Sequence, residues 1–190
     1  MIQMVNGQSS ILFWLLFALW ALSEVNNARR SGRAAAGRSR ADRGSALMIV
    51  AAVMAGMSLC FTLGWLGVAP VPPWASAVGL ALMLAGLGVR EWAVRTLGRH
   101  FTMQVSTASG QEVVERGPYR YVRHPSYTGS LLTVAGAGLA LGSWLGAALA
   151  LGLCLVAYSY RAAVEERALL AALPGYGEYV RRTWRFFPGL

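Results

Sequence analysis

The stretch from Ala46 to Ala69, ALMIVAAVMAGMSLCFTLGWLGVA, contains no charged side chain and no proline. A helix of about 20 apolar residues is long enough to cross the hydrocarbon core of a bilayer. The pattern recurs along the chain. Gln8–Val25 surrounds the core ILFWLLFALWAL, and a third run opens at Trp74 behind Pro73, a residue suited to a first helical turn. The last apolar stretch, residues 125–160, is too long for one helix and is divided by GSWLG at Gly142–Gly146. The expectation is an all-α integral membrane protein of one domain. Its five transmembrane helices cover residues 8–25, 46–69, 74–94, 126–142 and 144–165, the last two forming a tight helical hairpin.

Charge placement fits that count. Only 13% of residues are charged, against roughly 25% in soluble domains. All 17 Lys+Arg positions are Arg, for a net charge of +9. A basic balance can mark a nucleic-acid partner, but 56% hydrophobic content points to a bilayer instead. Arginines fill the segment after the first run (Arg29 to Arg43), the segment after the third (Arg95 to Arg123) and the tail (Arg161 to Arg185). The link between the second and third runs has none, nor does Gly142–Gly146. The positive-inside rule places the amino terminus outside and the three arginine-bearing segments in the cytosol of an inner or plasma membrane. The Arg29–Arg43 segment reads as a topology signal in contact with anionic lipid. A cleaved signal peptide would want positive charge before its apolar run, whereas residues 1–10 have no charged side chain. Arg90, Glu91 and Arg95 are expected near the membrane surface, where arginine can snorkel. Cys60 and Cys154 read as small hydrophobes, without metal-ligand spacing. The glycines of GLALMLAGLG read as helix-packing positions.

Two polar segments, residues 98–128 and 166–190, are thereby brought to the cytosolic side. The first suggests a hairpin around ASGQ, with Gly110 in the turn, and ends in GPYRYVRHPSYTGSLL. There Tyr, Arg and His crowd against an apolar helix. The tail YGEYVRRTWRFFPGL reads as a short amphipathic return, with Trp184, Phe186 and Phe187 at the membrane interface. No dinucleotide fingerprint, P-loop, H-E-x-x-H or G-x-S-x-G motif occurs.

Several spaced motifs in residues 90–190 resemble the isoprenylcysteine carboxyl methyltransferase family. They are RTLGRHF (Arg95–Phe101), Gly117-Pro118-Tyr119, Arg123-His124-Pro125-Ser126-Tyr127-Thr128-Gly129, Arg161 followed by Glu165-Glu166, and Tyr176-x-x-Tyr179 before Arg185-Phe186-Phe187-Pro188. Residues 1–89 match only as generic spans. The resemblance implies a membrane enzyme that uses S-adenosyl-L-methionine near the cytosolic surface, with no metal. It implies cofactor contacts at Tyr119, His124, Pro125, Tyr127, Gly129 and Glu166. It implies catalytic roles for Arg161 and Glu165, in carboxyl O-methylation of a lipid-borne acceptor such as a prenylcysteine that enters from the membrane.

The residue chemistry is compatible with that implication. Tyrosine rings can pack against adenine or a sulfonium. Gly129 would allow close approach at a helix start. Arg161 and Glu165 share a helix face, and a guanidinium can grip a carboxylate with two parallel bonds. Glu165 would position Arg161 and Glu166 would face the cofactor, although the two glutamates could exchange roles. His100 is assigned no role. Two other readings stay open: an NADPH-dependent reductase of the sterol reductase type, and a non-catalytic lipid-binding membrane protein. A reductase segment of that type has Asn before the Tyr and an acid soon after the Gly, where this chain has Ser126 and Ser130.

Overall fold

A computed structural model describes residues 6–34, 44–98 and 113–189. Six α-helices follow in order: α1 (Asn6–Ala34), α2 (Gly44–Trp65), α3 (Pro73–Leu97), α4 (Pro125–Ala140), α5 (Trp144–Ala172) and α6 (Tyr176–Arg182), with a 3-10 turn at Gly117–Arg120 before α4. The hairpin expected around ASGQ, and His100, lie outside the described residues. Among those described, Ser10–Arg29 within α1 and the whole of α2, α3 and α5 are long and apolar enough to cross a membrane. Helix α4 has 16 residues, or about 24 Å at 1.5 Å per residue, short of the roughly 30 Å hydrocarbon core. With the large apolar side chains that α1 and α2 leave outward, this is an integral membrane protein.

Helices α3 and α4 pack through glycines. A Cβ on Gly79 would lie 2.6 Å from the Gly136 carbonyl oxygen, and one on Gly86 would lie 2.5 Å from that of Gly129. These antiparallel pairs let the two backbones touch, as the GLALMLAGLG glycines suggested. Pro125 occupies the first turn of α4, where its missing N–H costs nothing. Leu141, Gly142 and Ser143 turn the chain into α5. Gly142 has φ +91°, a left-handed conformation that glycine adopts freely. Ser143 Oγ accepts from the Gly146 N–H and caps α5. The turn is tied to the α2–α3 link: the Trp144 N–H donates to Ala69 O, and Ser143 Oγ donates to Val68 O. This end of the bundle carries little charge.

The opposite end collects the start of α2, the ends of α3 and α5, the start of α4 and the tail. The tail runs beside the residues before α4. The Arg123 N–H donates to Trp184 O at 2.8 Å and the His124 N–H to Arg185 O at 3.1 Å. Its aromatic residues do not share the expected interfacial position. Trp184 is half exposed, but Phe186 is buried and Phe187 partly buried against the core. Thr128 Oγ1 donates to Phe186 O at 2.6 Å, fixing the tail to α4.

Candidate active site

At this end a cavity of about 410 Å³ opens among α1 to α5. One wall is apolar: Trp20 and Val25 from α1, and Ile49, Val50, Val53 and Met54 from α2. Val25, Val50 and Met54 are 49%, 52% and 62% exposed, so the cavity is rimmed by outward-facing apolar side chains. The other wall carries charge and hydroxyls: Arg90, His124, Ser126, Tyr127, Ser130, Tyr158, Arg161 and Glu165.

The charged wall is set by helical spacing. Arg161 and Glu165 lie one turn apart on α5, and Arg161 Nε donates to Glu165 Oε1 at 3.0 Å. Arg161 is 1% exposed and also donates from Nη1 to Ser45 Oγ of α2 at 2.7 Å. The Tyr127 hydroxyl donates to Glu165 Oε1 at 2.8 Å. The Tyr127 ring stacks on His124, with centroids 5.2 Å apart, and lies 4.8 Å from the Tyr158 ring. His124, at the start of α4, bridges the two consecutive glutamates. Its Nε2 is 3.1 Å from Glu166 Oε1 and its Nδ1 is 3.5 Å from Glu165 Oε2. Burial alone would depress the imidazole pKa. The hydrogen bonds and charge of the two glutamates outweigh it and raise the value above the ordinary 6.5.

The expected site residues therefore divide. His124, Tyr127, Arg161 and Glu165 face the cavity together. Glu166 is turned to the tail, where Arg123, His124 and Arg185 surround it. Arg123 also donates to the Val180 and Thr183 carbonyls, so this cluster clasps the tail to α5. Tyr119 is buried under α6, its carbonyl accepting from the Tyr179 hydroxyl at 2.7 Å. Pro125 is buried in the first turn of α4. Gly129 faces α3, where a Cβ would lie 2.6 Å from Gly86 O and 2.7 Å from Arg90 N. Its small size serves helix packing, and the expected close approach of a cofactor there has no room.

Arg90 and Glu24 are in the cavity wall and were not expected there. Arg90 is 5% exposed and does not snorkel. Its Nη2 donates to Glu24 Oε2 at 2.6 Å and its Nη1 to Ser126 O at 3.2 Å. Its neighbour Arg95 takes the surface position instead, paired with Glu91. The signal available in the sequence was an ionisable pair inside two apolar runs, which in a membrane marks a functional position by default.

Fold and site together define a class: a helical integral membrane protein whose apolar, side-opening cavity ends in a charged pocket. The chain belongs to the phospholipid methyltransferase family, which residues 74–173 match. It is 38% identical over 110 residues to the cobalt-zinc-cadmium resistance protein CzcN of Cupriavidus metallidurans, covering 57% of this chain and 50% of that protein. It is 37% identical to protein-S-isoprenylcysteine O-methyltransferase A of Arabidopsis thaliana over 65 residues, 33% of either chain. Among solved structures, the eukaryotic intramembrane Ras methyltransferase ICMT (isoprenylcysteine carboxyl methyltransferase) shares the fold. The TM-score is 0.57 at 24% identity, covering 74% of this chain and 52% of that one. The chain spans about half the length or less of the curated relatives it matches.

Proposed function

We propose that the chain is an S-adenosyl-L-methionine-dependent membrane methyltransferase that esterifies the carboxylate of a lipid-borne acceptor such as a prenylcysteine. The observation that carries this reading is the cavity's two-sided construction. Its apolar rim on α1 and α2 suits a chain arriving from the bilayer, and its far wall holds two arginines beside aromatic rings and an acid.

The donor set suits the cofactor. Glu165 and the Tyr158 ring would hold its cationic groups and the Ser126 and Ser130 hydroxyls would bind its polar atoms, while His124 and Tyr127, stacked together and bonded to Glu165, would line the pocket and position that acid. When bound, S-adenosyl-L-methionine supplies a methyl group on a positively charged sulfur. The remaining work falls to the chain. Arg161, held by Glu165 and Ser45, presents a fixed guanidinium to an anionic acceptor. A carboxylate is already ionised near neutral pH, so no general base is required. The two arginines favour such an acceptor over an amine. Rate would come from alignment and from excluding water around opposite charges. Tyr119, Pro125, Gly129 and Glu166 would act through the backbone and tail that position these groups. The arginine distribution supports a cytosolic charged end and an external amino terminus, with α4 as the fifth, short span of a hairpin with α5.

Calorimetry of the detergent-purified protein tests the reading. S-adenosylhomocysteine should bind, whereas binding of NADPH alone, or of neither, would overturn it. Arg161→Ala should cost about a hundredfold or more in methyl transfer through lost alignment, with S-adenosylhomocysteine affinity retained. Equal loss of both would place Arg161 in the cofactor pocket.

A further inference from the structure

The two arginines in the cavity differ in how their acids are held. Glu165 lies on the same helix as Arg161 and accepts from both Arg161 Nε and the Tyr127 hydroxyl, with His124 close by. Glu24 comes from a different helix than Arg90. Its Oε2 accepts from Arg90 Nη2, and its Oε1 lies 2.5 Å from Arg90 Nε, but out of line, so that both of those atoms lack a hydrogen bond. Glu24 thus meets the forked edge of Arg90 side-on with both oxygens, as a carboxylate ligand would. It is also the more exposed acid, its side chain 27% accessible against 19% for Glu165.

We infer that Glu24 is a displaceable counter-ion. It occupies the place on Arg90 that the acceptor's carboxylate takes, and it returns once that charge is lost. The inference rests on the reading of this cavity as a carboxyl methylation site. Without an acceptor, a buried guanidinium needs an anion beside it, and Glu24 supplies one. An ionised acceptor supplies another and can replace it, while a neutral ligand cannot. Esterification removes the acceptor's charge: the methyl C–S bond breaks with its electron pair left on sulfur as the C–O bond forms, and no proton moves. The neutral ester then has no hold on Arg90, and Glu24 pairs with it again. Arg90 accordingly discriminates the ionised acid from its methyl ester, and Glu24, as the competing counter-ion, weakens binding of the acid alone.

The test compares N-acetyl-S-farnesylcysteine with its methyl ester on the full chain in detergent, as wild type, Glu24→Gln and Glu24→Asp. Removing the competing carboxylate should tighten binding of the acid about tenfold, leaving the ester and S-adenosylhomocysteine unchanged. The acid should also raise the melting temperature of Glu24→Gln more than that of the wild type, because it restores the lost partner of Arg90. Glu24→Asp, which keeps the charge on a shorter arm, should give an intermediate gain and decides the matter if Glu24→Gln does not fold. An unchanged acid-to-ester affinity ratio in variants that still bind S-adenosylhomocysteine overturns the inference and leaves the proposed activity standing. A wild type that binds neither S-adenosylhomocysteine nor the acid overturns both.

Discussion

Helices α3 and α4 touch backbone to backbone, whereas α1 and α2 meet through rings and then share the apolar wall of the cavity. In the first region Gly79 and Gly86 face Gly136 and Gly129 with no room for a Cβ. In the second, Phe61 of α2 packs against Phe13, Trp14 and Phe17 of α1 at one end, and at the other Val25 and Val50 are half exposed on the cavity rim. The tight region falls inside the family match at residues 74–173, and α1 and α2 fall outside it. The difference separates two tasks. A rigid seam fixes His124, Tyr127 and Arg90 relative to one another, and a looser apolar side borders the cavity. Geometry that must hold to a fraction of an ångström is placed where side chains have been removed.

Breaking the seam should give the largest effect. Gly129→Val places a branched side chain 2.6 Å from the Gly86 carbonyl, and α3 and α4 must separate. Overpacking of this kind costs typically about 1–3 kcal/mol, and the separation would also carry Arg90 away from Ser126. Thermal unfolding should show the loss, and S-adenosylhomocysteine binding should weaken with it. Gly88, on α3 but off the seam, is the control, because a Cβ there meets nothing within 4 Å. Gly88→Ala should be neutral or stabilising by up to about 1 kcal/mol through helix propensity alone. Equal destabilisation by both substitutions would remove the distinction between seam and surface.

The sequence carried part of this division and lacked the rest for identifiable reasons. Arg161 and Glu165 were legible because one helical turn joins them and an apolar run surrounds them. His124 and Tyr127 were legible from the crowding of ring and charge before an apolar helix. Gly129 was expected to admit a cofactor at the helix start and instead packs on α3, which helix periodicity would have indicated. Ser126, Tyr127, Ser130 and Val134 line the cavity, while Gly129 stands one residue before Ser130 and Gly136 two after Val134, offsets that at 3.6 residues per turn rotate them off that stripe, toward α3. The direction of Arg90 was not legible, since it depends on the rotation of α3 about its own axis, which the α4 glycines set. Its partner Glu24 is 66 residues away in sequence, and no local pattern links them. The expected interfacial tail failed for a similar reason. Arg, Trp and Phe in alternation suit a bilayer surface, but Glu166 offers a buried carboxylate that draws Arg123 and Arg185 inward and Phe186 with them.

A smaller effect should come from titrating His124, which stands in the rigid region and joins it to α5 and the tail. Its folded pKa is raised, so its contribution is complete below the unfolded value near 6.5 and is lost as pH rises through the folded value. The melting temperature should therefore fall on the alkaline side of that window. His124→Gln, which cannot carry the charge, should flatten the profile. An unaltered profile in His124→Gln would assign the pH dependence to other groups and leave His124 a neutral bridge between Glu165 and Glu166.

The smallest effect belongs to the looser region and tests what it is for. Met54 is 62% exposed at the cavity rim, so Met54→Ala should leave stability within about 0.5 kcal/mol, as for surface substitutions. If the rim receives an acceptor's chain, that chain loses contact area. The expected cost is about 0.8 kcal/mol, or roughly fourfold in acceptor KM, for each methylene no longer covered. An acceptor truncated to a short chain never reaches Met54, so its KM should not change. Chain-length dependence in Met54→Ala, set beside chain-length independence in Arg161→Ala, would separate recognition of the lipid by α1 and α2 from recognition of its head by the rigid side. If KM moved equally for long and short acceptors, the rim would be acting on the cavity as a whole, and the contrast between the two regions would be one of packing alone.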